Sequence, residues 1–347
     1  MIKHYLLLAL IVLMLALTGC APKSEMGIEK LYVAAWLWRD TGKVTFRNQV
    51  TLFDEINPVW YKVTATEAGT TITGAVDPEV LNLLNLAVSY GVRVKLLPTI
   101  QKLTRDTTTT NIIDDLNRSK HIALIVKLVT DNGFDGIDID YEAEGLTTED
   151  QKNFTVFIKE LGLELRKINK KLSVCVYGLE AGLHKTWQKW AEMLDYVDTL
   201  KVMVYNCDLT DKQEPSPISP LTSLERTLRY AQSFPNGRDK IIIGLPFYGR
   251  HWALQSDGSP SKSTVRYTDP IITEGIKNYE ILRDKGEPYF NYTDENGVEH
   301  TVYFQDYLAL RERLELISRY PGTIKGIAFW DLGGEDPLNW NEVARYK

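Results

Sequence analysis

The chain has 347 residues with 40 Lys and Arg against 46 Asp and Glu, a formal net charge of −6. That balance gives no polyanion-binding signature and sets nucleic acid aside as a partner. Three cysteines form no disulfide framework, and five scattered histidines with no CxxC form no metal pattern, so neither cofactor nor resident metal is expected. The 8 Trp and 18 Tyr are a rich aromatic complement, available to a core or to ring-stacking ligands, and the count alone does not decide between the two.

The first residues read as an export leader. Lys3 and His4 precede an apolar run from Tyr5 to Leu17, followed by Leu17-Thr18-Gly19-Cys20, with small residues before a cut. The run is shorter than the ~20 apolar residues that span a bilayer, which weighs against a transmembrane anchor. Its ending looks like the bacterial lipobox. Residues 1–19 are then a signal peptide, Cys20 is lipidated, and residues 20–29 form a linker. The protein is expected to be exported and lipid-anchored to the outer face of a bacterial membrane, as a monomer.

Strands and helices alternate from there. Leu31 to Trp38 reads as strand one, and Leu52 to Val63 contains strand two, limited by Pro58. Pro78 to Tyr90 is an amphipathic helix ended by Gly91. Val92 to Pro98 is strand three, Leu116 to Asn132 a helix, and Gly133 to Glu142 strand four. Thr147 and Asp150 resemble a capping box before a helix carrying Phe154, Phe157, Ile158, Leu161, Leu165 and Ile168. Leu172 to Tyr177 is strand five, Thr186 to Leu194 a helix, Thr199 to Tyr205 strand six, and Leu221 to Ser233 a helix. Lys240 to Pro246 is strand seven, Ile324 to Trp330 strand eight, and Leu338 to Tyr346 a closing helix. Eight strands alternating with helices predict an α/β fold, a (β/α)8 TIM barrel. The rhythm breaks at about 251–304. Turn residues at Asp257-Gly258-Ser259-Pro260 and Asp294-Glu295-Asn296-Gly297 there predict a small α+β insertion with a hairpin, between strands seven and eight. One barrel unit, 30–347, holds all of this, with no repeat or second domain. Cys175 and Cys207 fall in or just after strands, as small core thiols or as a pair.

The most informative stretch is Asp135-Gly136-Ile137-Asp138-Ile139-Asp140-Tyr141-Glu142. With the two-residue period of a strand, Asp138, Asp140 and Glu142 face one way and Ile137, Ile139 and Tyr141 the other. Three acids in a confined interior cannot all ionise freely. Burial and like charge raise the pKa of at least one, which makes a proton donor near neutral pH, as glycosidic cleavage needs. Such a cluster can also bind Ca2+ or Mg2+, but the segment reads as a strand and not as the glycine-centred loop of an EF-hand. Asp135 has the opposite parity and is expected to brace the strand start.

The sequence resembles glycoside hydrolase family 18, the chitinase-like family, over nearly all of the chain beyond the leader. The family's Asp-Gly-x-Asp-x-Asp-x-Glu motif stands complete at Asp135 to Glu142. Met203-Val204-Tyr205-Asn206, Gly244 to Arg250, Gly326 to Asp336 and the segment Tyr292 to Phe304 match further family segments in order. Asn57-Pro58-Val59-Trp60-Tyr61 looks closer to the cell-wall and spore-associated branch.

The resemblance implies retaining, substrate-assisted hydrolysis of β-linked N-acetylglucosamine glycans, chitin oligosaccharides or peptidoglycan, through an oxazolinium intermediate. Glu142 would be the acid, Asp140 would orient the acetamide, Asp138 would share a proton with Asp140, and Tyr205 would donate to the acetamide oxygen. Trp330 would floor the sugar. Asn206, Met203, Tyr248, Arg250 and Trp36 complete the candidate substrate contacts. Met203 can equally be core, and Tyr248 and Arg250 can equally support their loop. Two departures stand out: Asn206 replaces the commoner Asp, and strand five reads Val174-Cys175-Val176-Tyr177-Gly178. A glycan-binding lipoprotein without turnover is the alternative.

Overall fold

The computed structural model describes residues 29–66, 69–102, 117–142, 148–179, 188–207, 214–255 and 258–347. The leader with Cys20, Leu116, Thr147, Thr186 and Asp257, on which expectations were placed above, lie outside them.

In chain order the strands are β1 (Tyr32–Leu37), β2 (Glu55–Pro58), β3 (Tyr61–Thr66), β4 (Gly69–Gly74), β5 (Lys95–Leu96), β6 (Thr99–Lys102), β7 (Gly136–Tyr141) and β8 (Lys171–Tyr177). They continue with β9 (Thr199–Met203), β10 (Ile241–Pro246), β11 (Gly249–Leu254), β12 (Pro260–Val265), β13 (Leu282–Asp284), β14 (Glu287–Thr293), β15 (Glu299–Tyr303) and β16 (Gly326–Trp330). Parallel pairing runs β2–β1–β16–β10–β9–β8–β7–β6. β5 pairs with β2, and β5 and β6 are one run of chain broken at Leu97-Pro98, where proline has no N–H to give. The Leu97 amide still reaches the Ile56 carbonyl at 3.1 Å, and the Pro98 carbonyl accepts from Asp138 N at 3.0 Å. That run closes the ring, and the fold is the expected (β/α)8 barrel.

The helices are α1 (Asp40–Asn48), α2 (Pro78–Ser89), α3 (Arg118–Asp131), α4 (Thr148–Lys167), α5 (Trp190–Met193), α6 (Leu221–Ala231), α7 (Pro270–Asn278), α8 (Tyr307–Ser318) and α9 (Asn339–Ala344). The outward residues of the barrel strands, such as Ile137, Ile139, Val174, Val202, Ile243, Ile327 and Phe329, form one buried core with Phe154, Phe157, Leu161, Leu224, Leu228 and Leu314 of these helices. Tyr141 belongs to this outer layer and stacks on Phe157 at 5.8 Å between centroids. α2 begins as its sequence dictates: Asp77 accepts from Glu79 N at 2.9 Å, and Pro78 opens the first turn. It ends before Gly91, which takes φ 77°.

Three elements go beyond the alternation read from the sequence. α1 stands between strands one and two, β3 and β4 form an antiparallel hairpin after strand two, and α8 precedes strand eight. The helix expected over Thr186 to Leu194 is the short α5 within the described residues. The insertion is a five-stranded antiparallel sheet, β12-β11-β15-β14-β13, with α7 laid on it. Its core is Val265, Ile272, Phe290, Val302 and Phe304. The expected hairpin is β14 and β15, closed where Asp294 N reaches the Val298 carbonyl at 3.0 Å. Cys175 and Cys207 are both free thiols.

Candidate active site

The strand period puts the acids of β7 inside the barrel, one above another at ~3.3 Å per residue. Asp138 is deepest and fully buried, Asp140 is buried, and Glu142, just past the strand end, is half-buried. The Glu142 amide donates to the Lys102 carbonyl at 2.8 Å, which holds the end of β7 against β6. Asp135 braces the strand start, accepting from Leu96 N at 2.9 Å and from Arg93 at 2.7 Å.

Each carboxyl has a different set of neighbours. Asp138 Oδ2 accepts from Trp36 Nε1 and Thr99 Oγ1, both at 2.9 Å, and its Oδ1 faces Lys201 Nζ at 3.1 Å. Burial alone would push this carboxyl up. The Lys201 ammonium and the surrounding donors outweigh burial and hold it below the usual carboxylate range. Among the described residues no cation stands beside Asp140. Gln101 Nε2 donates to its Oδ2 at 2.9 Å, while its buried Oδ1 has no hydrogen-bond partner. Burial, then the Glu142 charge, raise its pKa well above the ordinary value. Burial also raises Glu142, and a hydrogen bond with Tyr177 opposes the rise.

Above the acids lies a cavity of about 120 Å³ lined by Trp36, Gln101, Asp140, Glu142, Cys175, Met203, Tyr205, Asn206 and Trp330. Small residues make the space. A Cβ on Gly244 would stand 3.0 Å from the Val202 carbonyl oxygen and 3.3 Å from the Tyr205 ring, and Ala34 and Ala328 face inward beside it. Trp330 meets Trp36 edge-on at 5.9 Å and stacks on Trp38 at 6.0 Å. Asn206 has φ 59°, a left-handed backbone that Asn and Asp tolerate best. Its Oδ1 accepts from Tyr248 OH at 2.5 Å and from Arg250 at 3.2 Å.

The cavity therefore gathers Glu142, Asp140, Tyr205, Met203, Asn206, Trp36 and Trp330. Asp138 sits below it, and Tyr248 and Arg250 stand behind Asn206, outside the lining. Trp36 lines the cavity with its ring and spends its N–H on Asp138. Among the residues not picked out from sequence are Gln101, which holds Asp140, and Trp38, 56% exposed, which extends the aromatic surface. Lys201, Glu55 and Asn57 lie beneath Asp138. Strand parity marks all five: Trp38 follows Trp36 by two, and Lys201 precedes Met203 by two. A larger groove, about 930 Å³, lies between α3 and α4 on the outside. It is walled by Ile122, Val126 and Leu163, and its acids, Asp131, Glu160 and Glu164, are solvent-accessible and each paired with a cation, Lys127, Arg118 and Lys167 respectively. Among the described residues no group of three or more His, Cys, Asp or Glu is placed to hold a metal ion.

The chain is 26% identical over 294 residues to a putative sporulation-specific glycosylase, YdhD, of Bacillus subtilis (strain 168), covering 77% of this chain and 65% of that one. It is 28% identical over 244 residues to a cortical fragment-lytic enzyme of Bacillus anthracis, covering 68% and 55%. The chain thus spans about half to two-thirds of the length of these curated relatives. The crystal structure of a chitinase from Chromobacterium violaceum ATCC 12472 has the same fold, with a TM-score of 0.76 at 21% identity over 91% of this chain and 98% of the other. The family model for glycosyl hydrolases family 18 matches residues 103–335, and this chain belongs to that family.

Proposed function

We propose that the chain is a retaining glycosidase that cleaves β-linked N-acetylglucosamine glycans with the substrate's own acetamide as nucleophile. Asp140 carries this reading: its Oδ1 is buried without a partner, an arrangement that costs ~1–3 kcal/mol and that a substrate acetamide N–H would relieve. The cavity above it, about 120 Å³, has room for on the order of four waters at ~30 Å³ each. That is space for an acetamido group, with the sugar ring resting on Trp330. Among the described residues the carboxylates of the lining are Asp140 and Glu142, neighbours on one strand end, which suits a substrate nucleophile better than two carboxylates flanking a bond.

In the proposed reaction Glu142 gives its proton to the glycosidic oxygen, the bond from that oxygen to the anomeric carbon breaks, and the leaving sugar departs with the proton. The acetamide oxygen forms the new bond to the anomeric carbon, giving an oxazolinium. Asp140 accepts a hydrogen bond from its N–H, and Tyr205 donates to the acetamide oxygen. The Glu142 carboxylate then takes a proton from water as the water oxygen bonds to the anomeric carbon, reopening the ring and returning Glu142 to its acid form. The names of the relatives, a sporulation-specific glycosylase and a cortical fragment-lytic enzyme, support cell-wall glycan fragments as substrate ahead of crystalline chitin. Digestion of soluble chitohexaose and of purified peptidoglycan, read by mass spectrometry with wild type and Glu142→Gln, tests this. Cleavage of either by wild type alone supports the reading; release from neither overturns it.

A further inference from the structure

We propose that Lys201, buried in the barrel beneath the reaction centre, is a positioning residue. Its ammonium keeps Asp138 as a carboxylate, so that the mobile protons of the column stay on Asp140 and Glu142. The inference rests on the glycosidase reading of that column.

Lys201 comes from the middle of β9 and is 0% exposed. An ammonium has three N–H donors and no acceptor. Here Nζ meets three oxygens: Glu55 Oε1 at 2.7 Å, Asn57 Oδ1 at 2.7 Å and Asp138 Oδ1 at 3.1 Å. The ammonium also lies 5.3 Å from the centroid of Trp36, the ring whose N–H serves the other oxygen of Asp138. Lys201 and Trp36 only donate, so a proton on Asp138 would find no acceptor in either. The Thr99 hydroxyl can accept one, but the ammonium against Oδ1 favours the carboxylate, so the proton goes one carboxyl higher, to Asp140.

Among the described residues Lys201 is the cation in contact with Asp138. β1 brings Trp36, and β2 brings Glu55 and Asn57. β6 brings Thr99 and Gln101, and β8 brings Ser173, Cys175 and Tyr177. β7 itself carries Asp140 and Glu142, and Tyr205 follows β9. β10 and β16 contribute Ile242, Gly244 and Ala328. Below Glu55 lie Tyr32, which donates to it at 3.0 Å, Lys95, 3.3 Å from the Tyr32 hydroxyl, and Lys325, over the Tyr32 ring. One central ammonium therefore serves four carboxyls, Glu55, Asp138, Asp140 and Glu142. Glu55 and Asp138 are in direct contact with it. Asp140 is left with burial and the Glu142 charge, Glu142 with burial, and both are raised, as acid function requires.

The sign of the test follows. Removing a cation raises the pKa of every nearby carboxyl, by roughly one to three units for a direct partner and less for the next one. In Lys201→Met both limbs of the kcat/KM profile for chitohexaose should move to higher pH, the alkaline limb by about one unit. Lys201→Arg keeps the charge and should hold the wild-type limbs even where kcat falls. Glu55→Gln removes a competing anion and should move the profile to lower pH, which keeps the test alive if Lys201→Met does not fold. A purely packing role would lower the rate at all pH values and move no limb, and coincident profiles in folded Lys201→Met and in Glu55→Gln overturn the proposal. Carboxyl 13C titration of the full chain, made without substrate, separates this from the underlying reading. If wild type cleaves nothing, the glycosidase reading fails, while Asp138 titrating higher in Lys201→Met still upholds its tie to Lys201, and an unmoved Asp138 overturns it.

Discussion

Among the described residues, two ionic clusters have cation and anion both buried, and they are built differently. At the base of the insertion, Glu287 and Arg313 pair at 2.9 Å, one anion to one cation. Glu287 also accepts from Ser219 N at 2.6 Å and Ile218 N at 3.0 Å, and Arg313 donates to the Ser219 and Ala309 carbonyls at 2.7 and 2.8 Å. This ties the first residue of β14 to α8 and to the loop after β9. In the barrel, one lysine serves four carboxyls. Burial pushes Glu287 up as it does Glu142, although Arg313 opposes it, so a raised carboxyl does not by itself mark a reaction centre. Charge balance does. The matched pair has no proton to move, whereas the column with excess acid must keep protons and can hand one on.

The largest effect that sharpens this contrast is Glu142→Gln. The amide fills the same space and cannot act as the acid, so kcat should fall by ~10²–10⁴ with the thermal unfolding midpoint nearly unchanged. Arg313→Met should do the reverse. Leaving Glu287 buried without its cation costs about 3–5 kcal/mol, visible as a lower urea midpoint, while the limbs of the pH–rate profile of the folded fraction stay in place. If Arg313→Met moves those limbs, the two clusters are not separate.

The pH dependence of the wild type comes next in size. Glu142 must be protonated to act, and its pKa lies above the ordinary ~4.3 for Glu. Activity should therefore persist above that value and fall as pH rises through the Glu142 pKa. Asp138 has the opposite sign. Its folded pKa is depressed, so the stability it contributes is fully present above the unfolded value, ~3.9, and is lost as pH falls through the lower folded one. Activity and acid unfolding should thus occupy separate pH windows, which a rate profile beside a circular-dichroism acid titration would read. Loss of both in one window would break the assignment of the two carboxyls.

Much of this was legible in strand parity. Alternation within Asp138 to Glu142 puts three acids on one face, and barrel closure turns that face inward. The insertion hairpin announced itself by Asp294 to Gly297. Other elements were quieter for physical reasons. α1 buries only Gly42 and Phe46, too little for an apolar stripe. β3 and β4 are rich in threonine, and β3 begins inside the segment already claimed by strand two. α8 has helical spacing in Leu310, Leu314 and Ile317, but it stands between the hairpin and strand eight, a stretch for which no element was read from the sequence. Lys201 and Glu55 were hidden because a charged residue in a strand suggests solvent. Only the assembled barrel puts each opposite a partner, and Trp36 likewise found its partner, Asp138, only across the barrel.

The smallest predicted effect concerns Asn206, one of the two departures from the family pattern that reach the cavity. Asn206 keeps the left-handed backbone and receives Tyr248 and Arg250 on Oδ1. Asn206→Asp adds a like charge to the wall that holds Glu142, which raises the Glu142 pKa, but it places that charge against Arg250, which cancels part of the rise. The alkaline limb should move up by under about one unit, with little change in thermal stability because Asp tolerates the same φ. An unmoved limb would mean that Arg250 neutralises the new carboxylate completely. Position 206 would then shape the cavity without setting its protons, and the charge balance that distinguishes the two buried clusters would end at Glu142.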